Sequence, residues 1–179
     1  MRNVIKFLLL FSLLIAFTLP LSANASKKTS YLMDKKKLYT YSHSSDITTV
    51  KFKQKTDLGY DEWVNKEDVP CFAYKETKKG LYGSYGDYII PYPVKEGKVW
   101  YDKWDKSYKH KIIDSKRTIK IKAGTFKNVI VVKVKNTRNK DYSVSYYAPN
   151  VGLILMTRAD RSTNYRAEKD TELIKLKNK

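Results

Sequence analysis

Two histidines, His43 and His110, and one cysteine, Cys71, are the only imidazole and thiol groups of the chain. A metal site asks for three or four His, Cys, Asp or Glu ligands close together. The histidines stand 67 residues apart with no acidic or cysteine cluster beside either, so neither a metal nor another cofactor is expected. Cys71 can be drawn with His110 and Asp105 or Asp114 as a thiol triad. A nucleophilic thiol needs a polar, electropositive, exposed setting, whereas the neighbours Val69, Pro70, Phe72 and Ala73 predict a small buried side chain. A lone cysteine also has no disulfide partner. The adjacent acids Asp61-Glu62 and Glu67-Asp68, which flank Trp63, have the residue types of a glycoside-cleaving carboxylate pair. They fall in a polar stretch that a solvated surface explains. No GxSxG, HExxH or phosphate-binding glycine loop occurs. No catalytic residue is assigned, and a binding protein rather than an enzyme is expected.

Charge is the stronger signal. Lys+Arg 36 against Asp+Glu 18 gives a net charge of +18 on a chain that is 42% hydrophobic and 13% aromatic, a globular composition with a basic surface. Residues 119–179 hold 14 basic and 5 acidic side chains, half of the whole excess. Within them the alternation of 118–122 and 129–135 places Lys120, Lys122, Lys133 and Lys135 opposite the isoleucines and valines, on one wet face. Such a face is either a solvated, edge-protecting surface or an anion-binding one. Lysine far exceeds arginine and no nucleic-acid module appears, so nucleic acid is not the expected partner. The expected partner is an anionic wall polymer or membrane surface, met by diffuse, salt-sensitive attraction.

Aromatic residues offer a different class of function. Trp100, Asp102 and Trp104 alternate onto one face, away from Val99, Tyr101 and Lys103. Trp100 reads as a core or barrel-end plug and Trp104 as core or ligand-facing. A groove lined by both is the natural place for an apolar or sugar ligand.

The elements that must position these residues are strands. Period two dominates, and β-branched and aromatic residues abound. Residues 118–122 and 129–135 read as a hairpin, followed by strands at 141–147 and 152–157. Upstream, 37–41, 48–55, 71–76, 80–85, 98–103 and 108–114 read as shorter strands, with a last one at 172–176. Only 59–66 carries a weak helical pattern. The predicted fold is all-β and mainly antiparallel: a curved meander sheet, half-barrel or small open barrel with at most one short helix, forming a single monomeric domain over 26–179.

Before it, residues 1–25 have the order of a secretory signal: Arg2 and Lys6, an apolar run over 7–21, and the small tripeptide Ala23-Asn24-Ala25. Cleavage near Ala25-Ser26 and an extracellular or wall location are expected.

Three segments carry a family likeness: Pro91-Tyr92-Pro93-Val94-Lys95-Glu96-Gly97-Lys98-Val99-Trp100, Ala123-Gly124-Thr125-Phe126-Lys127-Asn128 and Tyr146-Tyr147-Ala148-Pro149-Asn150-Val151-Gly152. Through them residues 81–157 resemble a family of exported proteins and lipoproteins of Gram-positive bacteria. Residues 26–80 match more loosely, and 158–179 supply a C-terminal strand region. The resemblance implies a curved half-barrel similar in shape to that of periplasmic lipoprotein carriers, and it implies no activity. Many members are lipid-anchored, whereas no cysteine follows the apolar run here. A carrier or sensor, and a secreted inhibitor or immunity-type protein, are the alternative functions.

Overall fold

The structure is a computed structural model describing residues 29–44 and 46–179; the predicted signal peptide lies outside the described residues. The strands are β1 (Lys37–His43), β2 (Asp46–Lys55), β3 (Asp61–Val64), β4 (Pro70–Thr77), β5 (Gly80–Gly83), β6 (Tyr88–Pro91), β7 (Val99–Tyr101), β8 (Tyr108–Ile121), β9 (Gly124–Asn136), β10 (Tyr142–Ala148), β11 (Gly152–Ala159) and β12 (Glu168–Asn178). They form one antiparallel sheet in the order β6-β5-β4-β3-β2-β1-β12-β11-β10-β9-β8-β7. Each strand is laddered to its neighbours in sequence, and β12 returns to pair with β1. This is the order of an up-and-down barrel with one junction left unmade, between β6 and β7.

The predicted all-β, curved, open architecture is what the chain adopts. Two details differ from the sequence reading. Residues 59–66 hold strand β3, because Asp61 and Trp63 alternate into the interior with period two. The stretches 108–114 and 118–122 are one fourteen-residue strand, β8, which bends through three register shifts against β9.

The concave side is filled from both halves. Trp63, Tyr39, Tyr41, Val129, Ile154 and Leu173 anchor one apolar cluster. Leu81, Ile90, Ile112, Ile130 and Val132 anchor a second. Trp63 stands edge-on to Tyr39 and Phe52, with ring centroids 5.4 and 5.7 Å away. Asp61, 2% exposed, is held by the ammoniums of Lys35 at 2.7 Å and Lys55 at 3.0 Å, so its charge enters the interior already paired.

The residues before β1 form a strap across one end. Tyr31 and Met33 are buried, one in each cluster. Glu76 holds the strap by accepting from the hydroxyl of Ser30, the N–H of Tyr31 and the hydroxyl of Tyr92. The N–H of Asn150 donates to the Ser30 carbonyl at 2.8 Å, which brings the β10–β11 turn against the strap. Gly152 makes that approach possible: its φ is +80°, and a Cβ there would lie 2.8 Å from Cγ of Met33. Gly152→Ala is therefore expected to cost about 1–3 kcal/mol in denaturant unfolding. An unchanged midpoint would show that the strap moves aside freely.

Candidate functional site

The four lysines expected on one face separate into two pairs. Lys120 is partnered by Thr125 at the tip of the β8–β9 hairpin, while Lys133 and Lys135 lie near its other end, beyond the register shifts. At the tip, the N–H of Lys122 donates to Glu172 on β12 at 3.1 Å. Burial pushes the Glu172 carboxyl up; the Lys169 ammonium and the Lys122 N–H more than offset this and hold it below the ordinary carboxylate range. Lys122 thus stands beside a carboxylate, and Ile119, Ile121 and Phe126 of the same tip pack on the interior.

At the other end the register builds something larger. Lys111 pairs with Lys133 and Lys109 with Lys135. On the far side of β8, Val99 pairs with Lys111 and Tyr101 with Lys109. On the far side of β9, Val144 pairs with Lys133 and Tyr142 with Lys135. Two rows therefore cross four strands, Tyr101-Lys109-Lys135-Tyr142 and Val99-Lys111-Lys133-Val144, with their Cβ atoms about 4.5–5.5 Å apart step by step. Four ammoniums make a square bordered by apolar and aromatic side chains, with no carboxylate in either row. Among the described residues none of the four lysines has an ion-pair partner within 4.0 Å. Lys133 instead lies over the Tyr142 ring at 4.1 Å. Like charges directly opposite destabilise a sheet, so the arrangement carries a cost in folding. Lys109 and Lys111 were missed in the sequence because β8 read as two strands. The signal for them was the alternation around the inward Ile112.

Trp100 and Trp104 both lie at the unmade junction. The indole N–H of Trp100 donates to the Tyr88 carbonyl at 2.9 Å, the Lys103 N–H to Oδ1 of Asp87 at 2.6 Å, and the indole N–H of Trp104 to the Tyr85 carbonyl at 3.3 Å. These contacts suture β6 to β7 where no ladder does. Trp100 is half-buried and stacks on His110 at 5.1 Å, and His110 Nε2 meets Asp102 Oδ1 at 2.5 Å. Trp104 is 72% exposed at the rim, with Lys103 above its ring at 4.6 Å. The two indoles therefore share the junction but not one groove wall. Behind it a cleft is lined by His110, Asp102, Ser145 and Tyr147. Burial pushes the Tyr147 hydroxyl up to about 12, opposed by its hydrogen bond to Ser145.

Cys71 is exposed, which corrects the expectation of burial: Phe72 turns inward against Tyr41 and Tyr74, and alternation turns Cys71 outward. Partial burial pushes its thiol up from the ordinary value. Cys71 does not line the cleft that holds His110. Among the described residues no three His, Cys, Asp or Glu side chains gather as a metal requires.

No protein-family model matches the sequence, and no curated protein matches it. Two solved structures resemble the fold. One is a candidate exported protein with a YmcC-like fold from Bacteroides fragilis, at TM-score 0.52 and 13% identity, covering 84% of this chain and 99% of its own. The other is a candidate lipoprotein from Parabacteroides distasonis, at TM-score 0.45 and 16% identity, covering 83% of this chain and 99% of its own. At these identities the likeness is one of architecture: the chain shares the curved antiparallel fold of the Bacteroides fragilis protein.

Proposed function

We propose that the protein is a non-enzymatic binding protein of the cell envelope, held there through the outer face of β7–β10 by phosphate-bearing polyanions, wall polymer or lipid surface. The observation that carries this reading is the unpaired square of Lys109, Lys111, Lys133 and Lys135, with Tyr101 and Tyr142 at its margins. A stability-driven sheet disperses such charges among acids. Four lysines whose backbone positions are fixed side by side by the strand register meet successive phosphates with only their side chains left to order. The signal-like N-terminus and the family likeness, both read from the sequence, favour the same location, and the name of the Bacteroides fragilis neighbour is in keeping with it.

Screening provides the test. The Debye length falls from about 10 Å at 0.1 M salt to about 3 Å at 1 M. Purified protein is expected to bind isolated cell walls or anionic vesicles at low ionic strength and to elute in a salt gradient. Retention that persists unchanged in 1 M salt, at about that 3 Å screening length, would overturn the reading.

A further inference from the structure

The concave side of the sheet is packed at one end and hollow at the other. Near the hollow end β10 is inverted. Ser143 and Ser145 are the register partners of Val134 and Val132, which pack on the interior cluster, so both hydroxyls point into the concavity. Val144, between them, takes the parity of the lysine row, where its neighbours cover it to 9% exposure. A strand built only to fill a core places the valine inside and the serines outside. The inverted strand opens onto two cavities, of about 180 Å³ on the Ser145 side and about 280 Å³ on the Ser143 side, which meet at Val134.

The chemistry of the lining is opposite to that of the outer surface. Asp87 and Asp102 line the first cavity, Asp141 and Asp160 the second. Among the described lysines and arginines only Arg158 lines either cavity. Tyrosines flank both: Tyr88 and Tyr147 in one, Tyr108 and Tyr142 in the other. Asp87 and Asp102 each accept from the protein through Oδ1, from the Lys103 N–H and from His110, and among the described residues Oδ2 of each accepts from no protein group. The smaller cavity also borders the one junction of the sheet closed by side chains alone, so its rim can part without breaking a backbone ladder.

We propose that this paired cleft binds an uncharged glycan of about two sugar rings, one in each cavity. Aromatic rings pack against the C–H faces of a pyranose, and carboxylate and serine oxygens receive its hydroxyl protons. A hydrocarbon ligand would leave Oδ2 of Asp87 and of Asp102 without a donor, at a cost of about 1–3 kcal/mol each. A phosphorylated or uronic sugar would set its charge against four carboxylates with a single arginine to answer them. The lysine square lies on the other face of the same strands; Tyr142, whose ring lies under Lys133, borders both.

The test uses the whole chain and ligand-observed saturation-transfer NMR with titration calorimetry. The probes are cellobiose, maltose and diacetylchitobiose, with glucuronate and galacturonate as charged counterparts. At least one neutral disaccharide is expected to bind while both uronates do not. Ser145→Leu, which fills the first cavity, is expected to weaken that binding by about tenfold or more, the loss of one or two hydrogen bonds and a stacking face. Should Ser145→Leu fail to fold, Asp87→Asn at the rim serves instead, with a comparable loss expected. Absence of binding by every neutral probe at tens of millimolar, uronates binding as well as neutral sugars, or full affinity retained in a folded variant would each overturn the proposal.

Discussion

Changing Lys109, Lys111, Lys133 and Lys135 together to glutamine is expected to abolish retention on an anionic surface at moderate salt while leaving the fold intact or slightly more stable. Each lysine close to such a surface contributes about 1 kcal/mol. Four acting together correspond to about a thousandfold in affinity, at about 1.4 kcal/mol per decade. The stability change has the opposite sign. Lys109 faces Lys135 and Lys111 faces Lys133, so neutralising them removes cross-strand repulsion worth up to about 1 kcal/mol per pair. Binding that falls while the thermal midpoint holds or rises identifies a charge effect; a midpoint that falls in parallel with binding would point to a folding defect and sink the reading. Glutamine at Lys120 and Lys122 is the control. The tip pair is separated from the square by the bends in β8, and Lys122 already has Glu172 beside it, so a loss of less than about tenfold is expected. Equal losses per lysine from the square and from the tip pair would mean that the whole basic surface acts diffusely and that the register-built square has no special part.

How far such a surface can be read from sequence depends on what sets it. Alternation around Ile119, Ile121, Val132 and Val134 shows which way Lys120, Lys122, Lys133 and Lys135 point, because a side-chain period of two is a property of the strand itself. Which lysines stand side by side is a property of register, and register here turns on three bulges between Ile112 and Ile119 that no local pattern announces. The polar run Asp114-Ser115-Lys116-Arg117 looks like a turn, and the backbone continues through it as β8 because β9 supplies partners. Cys71 shows the converse: apolar neighbours suggested burial, while the alternation fixed by Phe72 turns it outward. The strap over residues 29–36 has no periodicity, and Tyr31 and Met33 are buried only because the β10–β11 turn and Glu76 come from far along the chain to meet them. The family-like segments mark the unmade junction, the hairpin tip and the β10–β11 turn, places where backbone conformation is restricted. The inverted β10 was present in the sequence as Ser143-Val144-Ser145, but only the pairing of β9 says which of its faces is the inner one.

Trp63 sets the scale of the packed end. It is fully buried on the four-residue strand β3, edge-on to Tyr39 and Phe52, and its indole N–H has no hydrogen-bond partner among the described residues. Trp63→Ala is expected to cost about 3–5 kcal/mol through lost transfer energy and the cavity left behind, a large part of the ~5–15 kcal/mol that holds a domain folded. Trp63→Phe also loses volume, but it removes a buried donor whose missing hydrogen bond costs about 1–3 kcal/mol. The two effects oppose each other, and a net loss below about 2 kcal/mol is expected from the difference. Urea denaturation of the two variants separates these contributions. If Trp63→Phe proves as costly as Trp63→Ala, the indole N–H is engaged by a polar group and the apolar cluster around it is wetter than its packing implies. If the phenylalanine is tolerated, the core requires only the ring, and β3 is held by shape. Since Trp63 belongs to the apolar cluster away from the cleft, binding of neutral disaccharides and of polyanions is expected to survive in both variants below their unfolding transitions, which keeps stability and binding separable by experiment.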